Sequence, residues 1–540
     1  IIMSQPTFCV EGANNQIQHS NPIAQEEDPT NSPNALLPSK KEAPLVKSGA
    51  DSTFQERAWA LLELVFPAVF SSFFILLQEL VNLAFVGHLN SADKIAAVGL
   101  GNALQNMIGV SVILGVNGAL NTLVSHAAGA GNIDLCLRYL RRCQIAMSLC
   151  FIPITAIVLN STSILIGIGQ NVEVAHYAHQ YNVTFLVAIY IGCLSDAQRR
   201  FLNCLKHNMF TFLTQVLASF MHIFWCWVFI DYLEFDVWGV GAASIVTQIF
   251  NMLCTSSYIY MLPEVKAAKK QLNEHHKAVE ECLLTSKEVH PIEHEGLFSP
   301  KGIVDYFKLG VPCTLMVCCE WWAYQVMTMM SGSIGVPEQG AQITLTSITG
   351  ILFMIAVGLQ QAGNTMIGQE IGKNDIRSAK AYYYTMKWVS LGVILFAQVT
   401  VYYLSDNLIK VFLNQDPKQE SKNESVKMEE VVQICESLML LAIFGKMFDL
   451  WQLMLQGTVR ALAIQTKAAK HIFVGYWCLN LPIAYFLVFY LGMGYKALWF
   501  SIMVAQVYLA GALTWQIEKT DWQAVADASL KKQQEELEHM

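Results

Sequence analysis

The chain carries one pattern twice. Pro67, Gly87 and the run 115–122 (Gly-Val-Asn-Gly-Ala-Leu-Asn-Thr) recur as Pro312, Gly332 and the run 358–365 (Gly-Leu-Gln-Gln-Ala-Gly-Asn-Thr). The offsets are 245, 245 and 243 residues, so one small gap aligns the two copies. Around each marker lie apolar blocks of ~20 or more residues, the length a helix needs to cross the hydrocarbon core of a bilayer. A duplicated set of spanning helices implies two halves that rock about a shared central site, as in secondary transporters.

Composition agrees with an all-α integral membrane protein. Hydrophobic residues make up 54% of the chain and charged residues 14%, against roughly 25% charged in a soluble domain. The charges cluster at 1–57, 263–301, 414–430 and 518–540, so the net charge of −8 resides mostly outside the apolar blocks and points to no partner. No basic stripe suggests nucleic acid. A cleavable signal peptide is not expected, because the first long apolar block opens only near residue 58. The fourteen cysteines form no CxxC pair. Cys136, Cys143 and Cys150 fall seven apart on one helix face and read as packing rather than as metal ligands.

The organisation follows from these blocks. Residues 1–57 are rich in Asn, Gln, Pro and Ser and read as a disordered tail. Six apolar blocks at about 58–86, 94–127, 137–160, 172–204, 210–231 and 237–263 form a first half, 58–263. A polar linker, 264–300, precedes a second half, 301–518, with blocks at about 301–331, 338–369, 377–404, 428–459, 466–491 and 494–518. Pro67, Pro153, Pro312 and Pro482 fall inside blocks, where neighbouring helices must satisfy the freed carbonyls. In the tail 519–540, residues 522–537 read either as an amphipathic helix on the membrane surface or as a fraying polar end.

Twelve spans place both termini on one side, and basic residues say which. Of the 34 lysines and arginines, 27 fall on the side of the termini, 6 on the other, and Lys446 within a span. The positive-inside rule then predicts cytoplasmic termini. The loop with Asp231, Glu234 and Asp236 faces out, as does a 405–427 loop whose Asn423-Glu424-Ser425 is a glycosylation sequon. The sequence leaves the plasma membrane or an organelle membrane equally open.

Several runs resemble the multidrug and toxin extrusion (MATE) transporters, especially their eukaryotic branch. They are Phe85-Val86-Gly87-His88-Leu89, the run from Asn121 to Asn132, and Gln198-Arg199-Arg200-Phe201-Leu202. In the second half come Glu320-Trp321-Trp322-Ala323-Tyr324, Gly340-Ala341-Gln342 and Gln456-Gly457-Thr458-Val459-Arg460. The resemblance covers residues 58–518 in order. It implies twelve transmembrane helices in two pseudo-symmetric six-helix lobes around a V-shaped cavity. It also implies export of organic, often cationic, compounds against an inward flow of H⁺ or Na⁺.

Few acids lie deep enough to carry that coupling. A charge at mid-bilayer costs about 2.5–3.5 kcal/mol on insertion scales, so it is rare and usually lines a cavity. Glu320 lies about twenty residues into the seventh span, followed by Trp321, Trp322 and Tyr324, whose ring faces can hold an organic cation. The resemblance places a functional Glu at this position; the competing reading is a carboxylate bonded between helices. Asp449, eleven residues before Arg460, matches the family's acidic residue in the tenth span. Lys446 precedes it by three residues on the same face, either as its ion-pair partner or snorkelling to the interface.

The departures from the family pattern are informative. Animal members carry a second Glu where Gln325 stands, an acid where Ser347 stands and an Asp where Asn121 stands; bacterial members have an Asp at Asn82. Glu79, three residues before Asn82, is a candidate replacement for the missing N-lobe acid, against a plainer place in a hydrated vestibule. Gln105, Asn106, Asn117 and Gln361 read as cavity-lining or interhelical. Asp196 reads as an ion-pair partner of the adjacent arginines, His126 as a solvated turn residue, and His275, His276, His290 and His294 as linker residues.

The sequence therefore predicts a monomeric antiporter, in contact with membrane lipid, that exports organic cations in exchange for protons without a cofactor or bound metal. Na⁺ coupling is the first alternative, because Asp449 with nearby oxygens could ligate a hard cation. A flippase for a lipid-linked precursor is the second, and it requires a basic cavity. No span carries a HExxH, GxSxG or aspartyl dyad, so no enzyme is expected.

Overall fold

The computed structural model describes residues 49, 51–87, 92–167, 169–271, 274, 300–412 and 422–538. Each apolar block becomes one long helix. The first six are α1 (Phe54–Gly87), α2 (Ala92–Gln105, through a π turn at Asn106–Val110, to Ser111–Gly129), α3 (Ile133–Leu159), α4 (Val172–Cys204), α5 (Asn208–Cys226, ending in a π turn at Trp227–Tyr232) and α6 (Val237–Met261). The second six are α7 (Pro300–Ile334), α8 (Val336–Gly372), α9 (Ile376–Phe412), α10 (Lys422–Ala461), α11 (Gln465–Tyr490, with π segments at Val474–Asn480 and Phe486–Tyr490) and α12 (Lys496–Lys519). A last helix, α13 (Trp522–Glu538), follows.

Among the described residues, 11 helices are long and apolar enough to cross a membrane. The remaining long helix is α4, at 33 residues. It carries Asp196, Arg199 and Arg200 in one stretch, which lowers its apolarity, yet it packs among α2, α3 and α6 as a full member of the bundle.

The two largest apolar cores centre one on each lobe. One gathers Ile113, Leu120, Leu135, Met147 and Phe201 from α2, α3 and α4. The other gathers Leu345, Leu352, Leu450, Met454, Leu498 and Leu509 from α8, α10 and α12. The helices that carry the repeated markers meet between them. A Cβ on Gly115 of α2 would lie 2.2 Å from the Thr314 backbone of α7, and one on Gly358 of α8 would lie 2.3 Å from a Val69 side-chain methyl and 2.9 Å from its backbone on α1. The same reciprocity closes the far end: Gly129 abuts the carbonyl oxygen of Gln369, and Gly372 abuts that of His126. These pairs obey the repeat offset read from the sequence, so the duplication is a structural pseudo-twofold.

Where α2 and α8 end, polar bonds cross between lobes. Asn364 Nδ2 donates to the Asn121 carbonyl at 3.2 Å and Gln369 Nε2 to that of Cys204 at 2.8 Å. Thr122 Oγ1 donates to the Arg460 carbonyl at 2.9 Å and accepts from Gln465 Nε2 at 2.7 Å.

Three sequence readings change here. His126 is buried in this seam, with Nε2 2.7 Å from the Ala461 carbonyl, because α2 runs past the expected turn into the lobe contact. The Asn423 sequon falls in the first turns of α10 rather than in a loop, because α9 and α10 extend several residues beyond their apolar blocks. Residues 522–537 form a helix rather than a frayed end, and Trp522 and Ala526 of this α13 are buried against the bundle. Residues 1–48 and the linker histidines lie outside the described residues.

Candidate functional site

A cavity of about 430 Å³ opens just beyond the seam and takes its walls from both lobes. Helix α2 supplies cavity residues from Asn102 to Asn117 before its seam residues begin, and α8 does the same from Phe353 to Gln360. The π turn in α2 sits at this wall, with Asn106 and Val110 facing the cavity. The carbonyl of Met107 in that turn accepts the indole N–H of Trp322 at 2.8 Å from the opposite lobe. Ring faces and apolar groups from Phe185, Trp321 and Phe353 share the lining with three acids, Glu79, Asp196 and Glu320.

On the C-lobe side, α10 places Lys446, Asp449, Gln452, Gln456 and Arg460 at three- and four-residue steps, a stripe along one face. All five are buried. Lys446 Nζ lies 2.5 Å from Asp449 Oδ2 and 5.4 Å from the centre of the Tyr324 ring. Asp449 Oδ1 accepts from Gln452 Nε2 at 3.3 Å and from the Tyr476 hydroxyl at 3.4 Å. Gln456 Nε2 donates to Gln452 Oε1 at 2.9 Å and to Glu320 Oε2 at 3.4 Å. Two amides thus join the cavity-wall carboxylate of Glu320 to the enclosed Asp449–Lys446 pair.

Of the residues singled out from the sequence, Glu79, Asn82, Glu320 and Trp321 line the cavity; Tyr324, Gln325, Lys446 and Asp449 stand outside its lining. Tyr324 turns its hydroxyl to Gln506 Nε2, which donates at 3.0 Å. Gln105, Asn106 and Asn117 line the cavity and Gln361 does not.

The N-lobe wall holds a residue the sequence did not suggest. His222 of α5 is buried, with Nε2 2.9 Å from the Asn82 amide oxygen and Nδ1 2.9 Å from Thr247 Oγ1. No motif surrounds His222, and only the packing of α1, α5 and α6 brings the three together. Glu79, one turn from Asn82, is exposed to the cavity and makes no hydrogen bond or ion pair among the described residues.

Arginines were also missed. Arg199, Arg200 and Arg460, counted from the sequence on the side of the termini, all line the cavity, whereas Lys446, counted within a span, does not. Asp196 binds Arg199 and accepts from Arg200 Nε at 2.6 Å and from Asn117 Nδ2 at 2.9 Å. Arg460 has no carboxylate partner among the described residues; its Nη1 donates to Gln360 Oε1 at 2.9 Å. The two clusters correspond through the pseudo-twofold. Asn117 Nδ2 donates to the Cys193 carbonyl as Gln360 Nε2 donates to that of Leu453, which pairs Asp196 with Gln456 and Arg200 with Arg460.

A sequence profile of the MatE family matches residues 67–228 and 312–486, one stretch in each lobe. The chain belongs to the MatE family. It is therefore a multi-pass membrane protein of a transporter family, with the two-lobed helical architecture of MATE transporters. It is 25% identical over 491 residues to multidrug and toxin extrusion protein 1 of Homo sapiens, covering 89% of this chain and 79% of that protein. Over 477 residues it is 25% identical to Protein DETOXIFICATION 16 of Arabidopsis thaliana, covering 86% and 89%. The crystal structure of the eukaryotic MATE transporter AtDTX14 superposes with a TM-score of 0.77 at 20% identity, covering 89% of this chain and 99% of that one. A MOP superfamily transporter from Pyrococcus furiosus matches with a TM-score of 0.71 at 16% identity, over 86% and 97%.

Proposed function

We propose that the protein is an antiporter that exports organic cations in exchange for protons, with the 58–263 and 301–518 lobes alternating about the cavity. Glu320 carries the reading. It is the C-lobe acid on the cavity wall, it shares that wall with Trp321, and buried amides connect it to Asp449. A carboxylate beside an aromatic face receives a cation by charge and by the ring quadrupole. When a proton takes the carboxylate, that charge attraction ends and the cation leaves; loss of the proton on the other side restores the site. Glu79 supplies the N-lobe carboxylate in this scheme, and Asn82 orients that wall through His222.

The Lys446 ammonium supports protons over Na⁺, because at 2.5 Å from Oδ2 it already supplies the countercharge to Asp449 that a metal cation would otherwise provide. The charge asymmetry of the sequence supports cytoplasmic termini. On that topology the cavity lies on the outer side of the seam. The protein acts as a monomer in contact with lipid, in the plasma membrane or an organelle membrane.

One observation favours a second reading. Arg199, Arg200 and Arg460 give the cavity a positive wall beside its acids, which suits a substrate that also bears an anionic group, and at the extreme a lipid-linked precursor. Proteoliposomes with a fluorescent organic cation inside distinguish these readings. The proposal expects efflux driven by an inward pH gradient and indifferent to an inward Na⁺ gradient. Flux that follows Na⁺ overturns the coupling ion; flux only of anionic or zwitterionic compounds overturns the substrate class.

A further inference from the structure

Helix α13 crosses from one lobe to the other over the end where the seam is closed. Asp521 starts it as an N-cap, its Oδ1 accepting from the backbone N–H groups of Gln523 and Ala524 at 3.0 and 3.3 Å. The first half is fastened to the C-lobe. Trp522 is buried with its ring centre 5.6 Å from that of Tyr383, and Gln523 Nε2 donates to Asn374 Oδ1 at 3.0 Å.

The second half is fastened to the N-lobe. Ser529 Oγ lies 2.9 Å from His126 Nδ1, Asn132 Nδ2 donates to Gln533 Oε1 at 3.3 Å, and Arg142 Nη1 donates to both oxygens of Glu536 at 2.7 and 2.8 Å. Arg142 is itself buried in the joint: a Cβ on Gly302 of α7 would lie 2.6 Å from its guanidinium carbon. The His126 contact is directional. Nε2 faces a carbonyl, which only accepts, so Nε2 carries hydrogen, and in the neutral ring Nδ1 then accepts from the Ser529 hydroxyl. One imidazole therefore ties α2 at once to the end of α10 and to α13.

We propose that α13 is a clasp on the transport cycle, and that Ser529, Gln533 and Glu536 are positioning residues that hold the two lobes closed at this end. In alternating access the lobes rock against each other about the central site. Opening this end separates Gly129 from Gln369 and Gly372 from His126. It also pulls the N-lobe off α13, which is covalently continuous with the C-lobe. The contacts of Ser529, Gln533 and Glu536 to the N-lobe must break in that movement, whereas those of Trp522 and Gln523 to the C-lobe need not. The clasp therefore weights the equilibrium toward the arrangement closed at this end.

Hydrogen exchange on the full chain in lipid nanodiscs tests this. A hydrogen bond to a charged group is worth enough to shift an equilibrium by roughly 10- to 100-fold. Glu536→Gln should speed exchange together in 121–129 and 364–372, the two sides of the seam, by a factor of that order. The charge-swapped pair Arg142→Glu with Glu536→Arg should restore part of the protection. Turnover should change in Glu536→Gln while the affinity measured at the cavity stays the same. Ser529→Ala and Gln533→Ala carry the same prediction at smaller size if Glu536→Gln does not fold. Faster exchange confined to 522–538, with the seam unchanged, would show a helix that merely rests on the protein and overturn the proposal. Unchanged turnover in a variant whose seam has loosened would overturn it as well.

Discussion

Lys446 and Asp449 face each other at 2.5 Å, one turn apart on α10, both withdrawn from the cavity that Glu320 lines. The two acids of the C-lobe are therefore unequal. Glu320 meets the cavity directly, whereas Asp449 is reached through Gln452 and Gln456.

Removing either member of the buried pair should destabilise the fold strongly. A buried charge left without its partner costs about 3–5 kcal/mol, whereas replacing both by apolar residues is often neutral. Lys446→Met and Asp449→Asn should each lower the melting temperature in detergent, and Lys446→Met with Asp449→Leu should recover most of the loss. A double variant as unstable as the sum of the singles would contradict a closed pair.

The two glutamines should separate by readout. Gln456 lines the cavity and donates to Glu320, while Gln452 is enclosed and donates to Asp449. Gln456→Leu should weaken binding of an organic cation and slow its transport. Gln452→Leu should leave binding within about twofold, yet slow transport by roughly 10-fold or more, the scale of one lost charge-assisted bond. Equal effects on binding would remove the relay.

At the seam, the symmetric glycines should be equally intolerant. A Cβ on Gly129 or Gly372 would lie 2.1 Å from a carbonyl oxygen of the other lobe, whereas one on Gly350 meets nothing within 4 Å. Gly129→Ala and Gly372→Ala should each cost about 1–3 kcal/mol or more of stability. Gly350→Ala should be neutral or gain about 0.5–1 kcal/mol from helix propensity. Melting curves of the three variants decide it; a benign Gly372→Ala beside a severe Gly129→Ala would break the symmetry argument.

Glu79 should matter most for doubly charged cargo. Its carboxylate is exposed to the cavity without a partner among the described residues, across from Glu320. Glu79→Gln should weaken binding of a dicationic compound several-fold more than that of a monocation. Identical losses for the two, or none, would take Glu79 out of the site.

Much of the fold was legible because duplication, span length and helical period are local or strictly repeated signals. The Lys446–Asp449 contact was legible for the same reason, being one helical turn apart. What escaped were contacts at long separation. Ser529 is 403 residues from His126, and His222 is 140 from Asn82, so no spacing rule joins them. The arginines escaped differently: Arg199, Arg200 and Arg460 lie near helix ends, where charge usually means solvent, but the walls between lobes turn those ends inward. His126 was misread on the same assumption.

In the proposed function a cation and a proton exchange at Glu320. Counting protons released when an organic cation binds the purified protein in weakly buffered detergent tests it most directly. Close to one proton per cation is expected for the wild type at a pH where the site is protonated, with a marked fall in Glu320→Gln even at saturating cation. Cation binding without proton release in the wild type, or unchanged release in Glu320→Gln, would contradict it.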